Sequence, residues 1–357
     1  MRPTASLFVL AALSLSPYAR AAETRCESLS KLNLPHIEIT GTTLVEKGTF
    51  VAPRNPMQPP PQAAGGPGPG GNQNAVFKTL PAFCRVQATS RPTSDSIINI
   101  EVWLPTEGWN GRLEVEGNGG FGSNIGYANL AEGIAHGYAI TGSDTGHQGN
   151  DDNFAIGHTE KLIDWGYRAV HENTVAAKTV AAKFYGSGPK YTYWNGCSTG
   201  GRQGWVAAEY FPEDFDGLSL GDPANPMTRL QAGNIGAYLA LHKEPGSFIP
   251  MAKWEMIHKA VVNQCDAIDG LKDGLVEDYL KCDFKPESLL CRDGDAADCL
   301  TALQLRSLNY VVAGTKNPRT GVSVYPGFPL GAPLQAGPVV ADAKPDGSAP
   351  TLFKLLF

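Results

Sequence analysis

Two kinds of feature are missing from this sequence of 357 residues. It has no run of lysine or arginine, only 18% of its residues are charged, and the formal net charge is −6 at pH 7. Beyond the first 21 residues it has no apolar stretch long enough to cross a bilayer, which takes about 20 residues. We therefore expect neither a nucleic-acid partner nor a membrane-spanning segment. The 41 glycines and 27 prolines predict a globular protein with many loops.

The first 21 residues are typical of a secretory signal peptide. Arg2 supplies a positive charge, residues 5–16 are apolar but too short for a membrane span, and Ala19-Arg20-Ala21 fits a signal-peptidase site. A buried N-terminal helix is the alternative. We predict cleavage near Ala21, a mature chain that begins near Ala22, and a secreted or periplasmic protein.

An oxidising compartment makes the seven cysteines candidates for disulfides, although sequence alone does not fix their connectivity. Two local pairs, and one pair that ties the N-terminal segment to the first strands, are Cys265 with Cys282, Cys291 with Cys299, and Cys26 with Cys84. Each short closed loop stabilises by about 3 kcal/mol in the chain-entropy model. Cys197 is left over, either as a free thiol or with a partner elsewhere.

Short apolar strands alternate with helices in the middle of the sequence. Predicted strands cover residues 97–105, 113–116, 138–142, 191–195 and 218–220, and predicted helices cover residues 130–136, 164–184 and 202–210. This alternation indicates a mainly parallel sheet covered on both faces. Upstream, residues 37–51 resemble β-structure, and the Pro/Gly-rich residues 53–75 predict a flexible loop within the same domain.

The sequence changes character after Pro226. Helical stretches at residues 251–263 and 300–310 are separated by loops rich in cysteine, glycine and proline. This pattern indicates an inserted cap rather than more sheet. We predict a core domain over residues 22–225 and a lid domain over residues 226–357.

Residues 196–200, GCSTG, fit the pattern G-x-S-x-G between a predicted strand and a predicted helix, which is the setting of an α/β-hydrolase nucleophile. The glycines are needed because the serine occupies a sharp, strained turn, where side chains two residues away would collide. The turn exposes the Ser198 hydroxyl and places the Thr199 N–H at a helix start, where it can stabilise an oxyanion. We predict Ser198 as the nucleophile.

A second oxyanion donor is expected from a glycine-rich loop after an earlier strand. Residues 117–122, GNGGFG, follow the predicted strand 113–116, and we assign the donor to the Gly120 N–H. The loop lacks the helix-opening spacing and the downstream acid of a dinucleotide-binding fingerprint. A plain glycine-rich turn is the alternative.

These segments together resemble the tannase/feruloyl esterase family, which also contains a mono(2-hydroxyethyl) terephthalate hydrolase. The main match is YWNGCSTGGRQG at residues 193–204, supported by LPAFCRV at 80–86, IEVWLP at 100–105, DTGH at 144–147 and PEDFDG at 212–217. The resemblance covers most of the chain after the first 21 residues. It implies an α/β-hydrolase fold with an inserted lid, acting on feruloyl, galloyl or similar aromatic esters through a serine acyl-enzyme.

In that family the catalytic aspartate and histidine follow the lid, and a disulfide joins the cysteine beside the serine to one beside the histidine. By this resemblance Cys197 would pair with such a cysteine. The sequence ends at Phe357, within the predicted lid. We therefore expect a C-terminally truncated member whose core sheet and lid are incomplete and which lacks a full triad.

No histidine of the sequence is an obvious substitute base. In this fold the acid and the histidine follow the serine, and only His242 and His258 do so. A substitute pair such as Asp222 with His258 is the alternative. His147 precedes the serine, and we expect it in a loop near the mouth of the site.

Asp266, Asp269 and Asp273 place three carboxylates within eight residues, beside two Asp-Gly turns. Ca²⁺ takes six to eight oxygen ligands, although this spacing is not that of an EF-hand. The segment resembles the family's structural calcium loop, which implies the three aspartate side chains and the carbonyls of Leu271 and Leu275 as ligands. An acidic surface turn is the alternative.

Taken together, the sequence predicts a secreted carboxylic ester hydrolase with a small aromatic ester as its partner and calcium as a structural cofactor. A truncated, inactive fragment and a calcium-stabilised binding module are the alternatives. Incubating the chain with an aryl ester separates the enzyme from the inactive fragment.

Overall fold

A computed structural model describes residues 17–53, 73–121, 124–149 and 152–332. Most of the predicted signal peptide, most of the Pro/Gly-rich stretch and the end of the predicted lid lie outside these ranges. The chain forms two compact units, residues 1–223 and 224–357. In the described part, every helix is too short or too polar to cross a membrane.

The first unit is built on one sheet with helices on both faces. Its strands are β1 (Ile37–Val45), β2 (Phe83–Ser90), β3 (Ile98–Pro105), β4 (Arg112–Glu116), β5 (Ala139–Ser143), β6 (Tyr191–Cys197) and β7 (Gly217–Gly221). Its helices are α1 (Pro17–Ser28), α2 (Gln73–Phe77), α3 (Tyr127–Ala135), α4 (Thr159–Ile163), α5 (Ala169–Tyr185) and α6 (Thr199–Tyr210).

The seven strands follow the order β1-β2-β3-β5-β4-β6-β7. The strands β5, β4, β6 and β7 are parallel, as the alternation of strands and helices predicts, whereas β1, β2 and β3 pair antiparallel and β3 joins β5 antiparallel. The prediction of a mainly parallel sheet therefore holds for the half that follows β3. The arrangement is that of an α/β-hydrolase.

Alternation along the strands divides the core into two layers. Leu113 and Val115 of β4 pack in the same apolar cluster as residues of α5 and α6, on one face of the sheet. On the other face Phe83 and Trp103 stack with their ring centroids 4.4 Å apart, in a cluster that includes residues of α2 and α3. Each face of β2 and β3 is thereby buried, and these strands form a rigid base for the parallel half.

Most predicted elements match the structure to within about three residues, and two depart further from it. The β-structure expected to residue 51 ends at Val45. The single helix expected over residues 164–184 begins with a π-helical turn, Asp164–Arg168, and continues as α5, which ends where Gly186 adopts a φ of 82°. A π-turn places one extra residue in the helix and is frequent near functional sites.

The disulfides follow the predicted pairs. Bonds join Cys26 to Cys84, Cys265 to Cys282, and Cys291 to Cys299. Cys197 is an exposed free thiol. The first bond attaches α1 to β2, and the other two lie in the second unit.

The second unit is mainly helical over its described residues. It contains α7 (Met227–His242), α8 (Met251–Cys265), α9 (Ala302–Ala313) and a two-stranded sheet of β8 (Thr315–Lys316) and β9 (Ser323–Tyr325). Helices α8 and α9 match the two predicted helices, and α7 had no counterpart in the prediction. Their apolar faces share one core that includes Trp254, Val261 and Leu308.

Candidate active site

Strained backbone is concentrated at one edge of the sheet. Thr145, Ser198 and Asp222 have φ values of 52°, 58° and 36°, and each lies just after the end of a strand, β5, β6 and β7 respectively. Because these strands are parallel, the three residues lie at the same edge of the sheet. Non-glycine residues rarely adopt positive φ, and such strain clusters at functional sites. Among the other described non-glycine residues, only His36 has a positive φ.

Ser198 is exposed at the turn between β6 and α6. Its N–H donates to the Gly221 carbonyl over 2.9 Å, and its carbonyl accepts from the Arg202 N–H over 3.0 Å. A Cβ atom on Gly196 would lie 2.6 Å from the carbonyl carbon of Gly200. The crowding expected of a nucleophile turn is therefore present two residues before the serine, where only glycine fits.

The glycine-rich loop is in direct contact with the start of α6. A Cβ atom on Gly117 would lie 2.6 Å from the Gly200 Cα. The Thr199 hydroxyl donates to the Gly120 carbonyl over 2.5 Å. The structure thus brings Ser198, Thr199 and Gly120 together, as a nucleophile with two oxyanion donors requires.

A reciprocal amide pair between Asn118 and Gln203 also holds this loop, and no sequence pattern predicts it. The Asn118 N–H donates to Gln203 Oε1 over 3.0 Å, and Gln203 Nε2 donates to Asn118 Oδ1 over 3.1 Å. Asn118 Nδ2 further donates to the Ser143 carbonyl over 2.9 Å. Gln203 is fully buried, so the pair connects α6, the loop and β5 without competition from water.

His147 lies beside the loop rather than beside the serine. Its Nε2–H donates to the Phe121 carbonyl over 2.8 Å, and its ring stacks on Phe154 at 3.6 Å. Asp144 shapes the same turn, because its Oδ1 accepts from the Asn99 and Gly146 N–H groups over 2.9 and 3.0 Å. Burial raises the pKa of Asp144 to about 6.

Two further histidines of the first unit are paired with aspartates. His158 Nδ1 lies 3.0 Å from Asp95, and His171 Nδ1 lies 2.6 Å from Asp214. In the described part of residues 17–223, no hydrogen bond joins a histidine to the Ser198 hydroxyl. In the second unit, His258 Nδ1 donates to the Gly331 carbonyl over 2.7 Å.

A polar cavity of about 330 Å³ adjoins the turn at the ends of β4, β6 and β7. Glu116 lines it, and its carboxylate accepts from Asn129 Nδ2 over 2.9 Å and from Asn195 Nδ2 over 3.0 Å. Burial and the neighbouring Glu116 raise the pKa of Glu114 to about 8. The two carboxyl groups therefore hold a proton at neutral pH.

The acidic loop of the second unit is ordered by its own carboxylates. Asp266 Oδ1 accepts from the Asp273 and Gly274 N–H groups over 3.1 and 2.9 Å, and Asp269 Oδ1 accepts from the Leu271 N–H over 2.9 Å. Within the described ranges, however, no three acidic, histidine or cysteine side chains converge as metal ligands.

Comparison with known proteins gives this geometry a context. A sequence model described as tannase and feruloyl esterase matches residues 84–345. An uncharacterised esterase of Xanthomonas campestris pv. campestris is 36% identical over 324 residues, 90% of this chain and 53% of that protein. A probable feruloyl esterase B-1 of Aspergillus oryzae is 33% identical, over 88% of this chain and 57% of its own length.

Two solved structures resemble this chain in fold. The crystal structure of feruloyl esterase B from Aspergillus oryzae superposes with a TM-score of 0.79 at 31% identity, covering 92% of this chain and 62% of the other. A tannin acyl hydrolase from Aspergillus niger has a TM-score of 0.66 at 21% identity, covering 87% and 58%, and supports the fold alone. The chain spans between half and two thirds of the length of these relatives.

Proposed function

This chain belongs to the tannase and feruloyl esterase family, and from that membership we propose that it hydrolyses carboxylic esters of aromatic acids with Ser198 as nucleophile. The observation that carries the proposal is the exposed serine at φ 58°, in contact through Thr199 and Gly200 with the glycine-rich loop. Hydrolases of this fold use the same arrangement of a nucleophile turn and an oxyanion loop.

The proposed reaction has two steps. Ser198 Oγ attacks the ester carbonyl, its proton passes to the leaving alcohol, and the C–O bond to the alcohol breaks, which leaves an acyl-enzyme. Water then attacks the acyl-enzyme and releases the aromatic acid. In both steps the N–H groups of Thr199 and Gly120 would stabilise the negatively charged tetrahedral oxygen.

Activation of the serine needs a base, and no described histidine of residues 17–223 bonds to it. Removing triad members lowers kcat by about 10⁴- to 10⁶-fold, whereas the oxyanion donors and substrate binding alone retain about 10³-fold over water. A reactive ester with a good leaving group should therefore still acylate Ser198 slowly.

The three disulfides support the proposal that the protein works in an oxidising compartment, outside the cell or in the periplasm. We also propose calcium as a structural cofactor of the second unit. Asp266, Asp269 and Asp273, with the carbonyls of Leu271 and Leu275, would hold it, and its charge would offset the repulsion among the carboxylates.

The test is a mass-spectrometric search for the acyl-enzyme after incubation with 4-nitrophenyl ferulate. We expect an added feruloyl group on the peptide that contains Ser198, and none in the Ser198→Ala variant. A feruloyl group at another residue, or 4-nitrophenol release that Ser198→Ala leaves unchanged, would refute the assignment of the nucleophile. Complete absence of the adduct would favour the inactive fragment.

A further inference from the structure

Arg202 is a buried cation close to the proposed nucleophile. Its side chain is on α6, one helical turn after Ser198, and the residue is only 6% exposed. Its guanidinium lies over the Trp165 ring, with Cζ 4.2 Å from the ring centroid. The terminal nitrogens donate to the carbonyls of Gly166 and Trp165 over 3.0 and 3.3 Å, while Nε has no partner.

No carboxylate compensates this charge within the part of the chain that the structure describes. The ion pairs there include Arg85 with Glu101 and Arg168 with Asp164 and Glu160, but none involves Arg202. Burial alone lowers the pKa of Arg202 to about 10, so the group remains charged at neutral pH. A buried ion without a counter-ion is destabilising, so stability alone does not explain why Arg202 is present.

The packing directs the charge toward the oxyanion loop. Trp165, on which the guanidinium stacks, packs in turn on Phe121 with their ring centroids 5.6 Å apart. Phe121 follows Gly120, whose carbonyl accepts the Thr199 hydroxyl. Long side chains on a helix lean toward its N-terminus, which here begins at Thr199. One helical turn and one side-chain length put the guanidinium on the order of 10 Å from the Ser198 hydroxyl.

We propose that the uncompensated charge of Arg202 stabilises negative charge at Ser198. Arg202 touches neither the reacting atoms nor the substrate, and it acts through its field, in addition to the dipole of α6. The inference rests on Ser198 being the nucleophile. A field that favours a deprotonating hydroxyl also favours the tetrahedral oxyanion, since both place negative charge at the start of α6.

The alternative role of Arg202 is structural, because its donors also satisfy two carbonyls of the π-helical turn. A thiol at the nucleophile position distinguishes the two roles. In a Cys197→Ser background, Ser198→Cys introduces one free thiol, since the other six cysteines are in disulfides. The rate of its alkylation by iodoacetamide against pH gives its pKa, with no need for a base or an ester substrate.

We expect Arg202→Gln to raise the pKa of this thiol by about one unit, the interaction of unit charges about 10 Å apart at an effective dielectric constant of about 20. The increase should persist in about 1 M salt, which screens surface charges but not a buried one. Arg202→Lys is the matched control, because it keeps a positive charge at the same position, and its effect should be much smaller.

An unchanged thiol pKa in a folded Arg202→Gln variant would assign Arg202 a structural role only. Should that variant not fold, the protein with Arg202 intact decides the question. Its thiol pKa in about 1 M salt must lie below the ordinary value of about 8.5, and a value at or above it would overturn the proposal. The assay uses no ester. Its result can therefore be interpreted even if the protein does not hydrolyse aromatic esters.

Discussion

The hydroxyl of Thr199 lies 2.5 Å from the carbonyl oxygen of Gly120. The residue after the proposed nucleophile is therefore bonded to the loop that would supply the second oxyanion donor. Thr199 is only 1% exposed whereas Gly120 is exposed, so the bond attaches a surface loop to the buried start of α6. The two donors keep their separation only while the bond is intact.

Thr199→Val keeps the shape of the side chain and removes its donor, so the exposed Gly120 carbonyl loses its protein partner. We expect the free energy of unfolding to fall by about 1 kcal/mol, the net contribution of an ordinary hydrogen bond. Acylation of Ser198 by 4-nitrophenyl ferulate should slow at the same time, since the loop is released. Urea unfolding and acylation kinetics measure the two effects. Thr179→Val, which removes a helical hydroxyl bonded to the Val175 carbonyl, is the control and should change neither.

The 357-residue polypeptide should turn over feruloyl and galloyl esters slowly. In the described part of residues 17–223 the Ser198 hydroxyl has no histidine partner, so kcat should lie about 10⁴- to 10⁶-fold below that of an intact triad. Steady-state assays with methyl ferulate and methyl gallate check this, with Ser198→Ala as the blank. Rapid turnover that Ser198→Ala abolishes would show that a base already present reaches the serine.

Stability should fall as the pH rises toward 8. Burial and Glu116, with a contribution from Glu132, raise the pKa of Glu114 from 4.5 to about 8. The folded protein therefore holds a proton that the unfolded chain releases between these values, and the free energy of unfolding decreases with pH across this window. Glu114→Gln retains the neutral form and should flatten the dependence. Urea unfolding at pH 5.5 and pH 9 measures it, and Glu107→Gln, at an exposed position, should behave like the parent.

Calcium should stabilise the second unit. Three carboxylates in one loop repel each other without a cation, so we expect a higher melting temperature with calcium than with chelator. Asp269→Ala should remove the difference, whereas Asp283→Asn, an exposed carboxylate outside the loop, should retain it. Calorimetry of the parent protein and of Asp269→Ala, each with calcium and with chelator, measures the four melting temperatures. Identical melting of the parent with calcium and with chelator would refute a structural ion.

One thiol per chain should react in the folded protein. Cys197 is exposed and free, and the other six cysteines are paired. Iodoacetamide labelling without reductant, followed by peptide mapping, should mark Cys197 alone. Labelling of any second cysteine in the native state would contradict the pairing.

Local patterns made much of this structure predictable. The GCSTG segment specifies part of its own turn, because glycine at 196 is required by its close contact with Gly200 in the same segment. The disulfides between Cys265 and Cys282, and between Cys291 and Cys299, close short loops that spacing alone suggests.

Contacts between residues far apart in the chain could not be predicted from local patterns. Asn118 and Gln203 lie 85 residues apart, and an asparagine in a glycine-rich loop is an ordinary loop residue until its partner is known. Arg202 similarly resembles any polar residue of a surface helix, and only the fold shows that Trp165 covers it. The antiparallel pairing of β1 with β2 depends on the connection over residues 46–82, which is long enough for either direction.

The contact between Gly117 and Gly200 limits how such a protein can diversify. A Cβ atom on Gly117 would lie 2.6 Å from the Gly200 Cα, one on Gly200 would lie 3.0 Å from the Asn118 carbonyl oxygen, and each glycine belongs to a different half of the proposed site. A library that randomises these two segments would therefore distort the proposed site in many clones, however well the new residues suited a substrate. New substrate specificities, whether selected in nature or in the laboratory, are therefore expected from residues around the glycine-rich loop and the start of α6, with Gly117 and Gly200 unchanged.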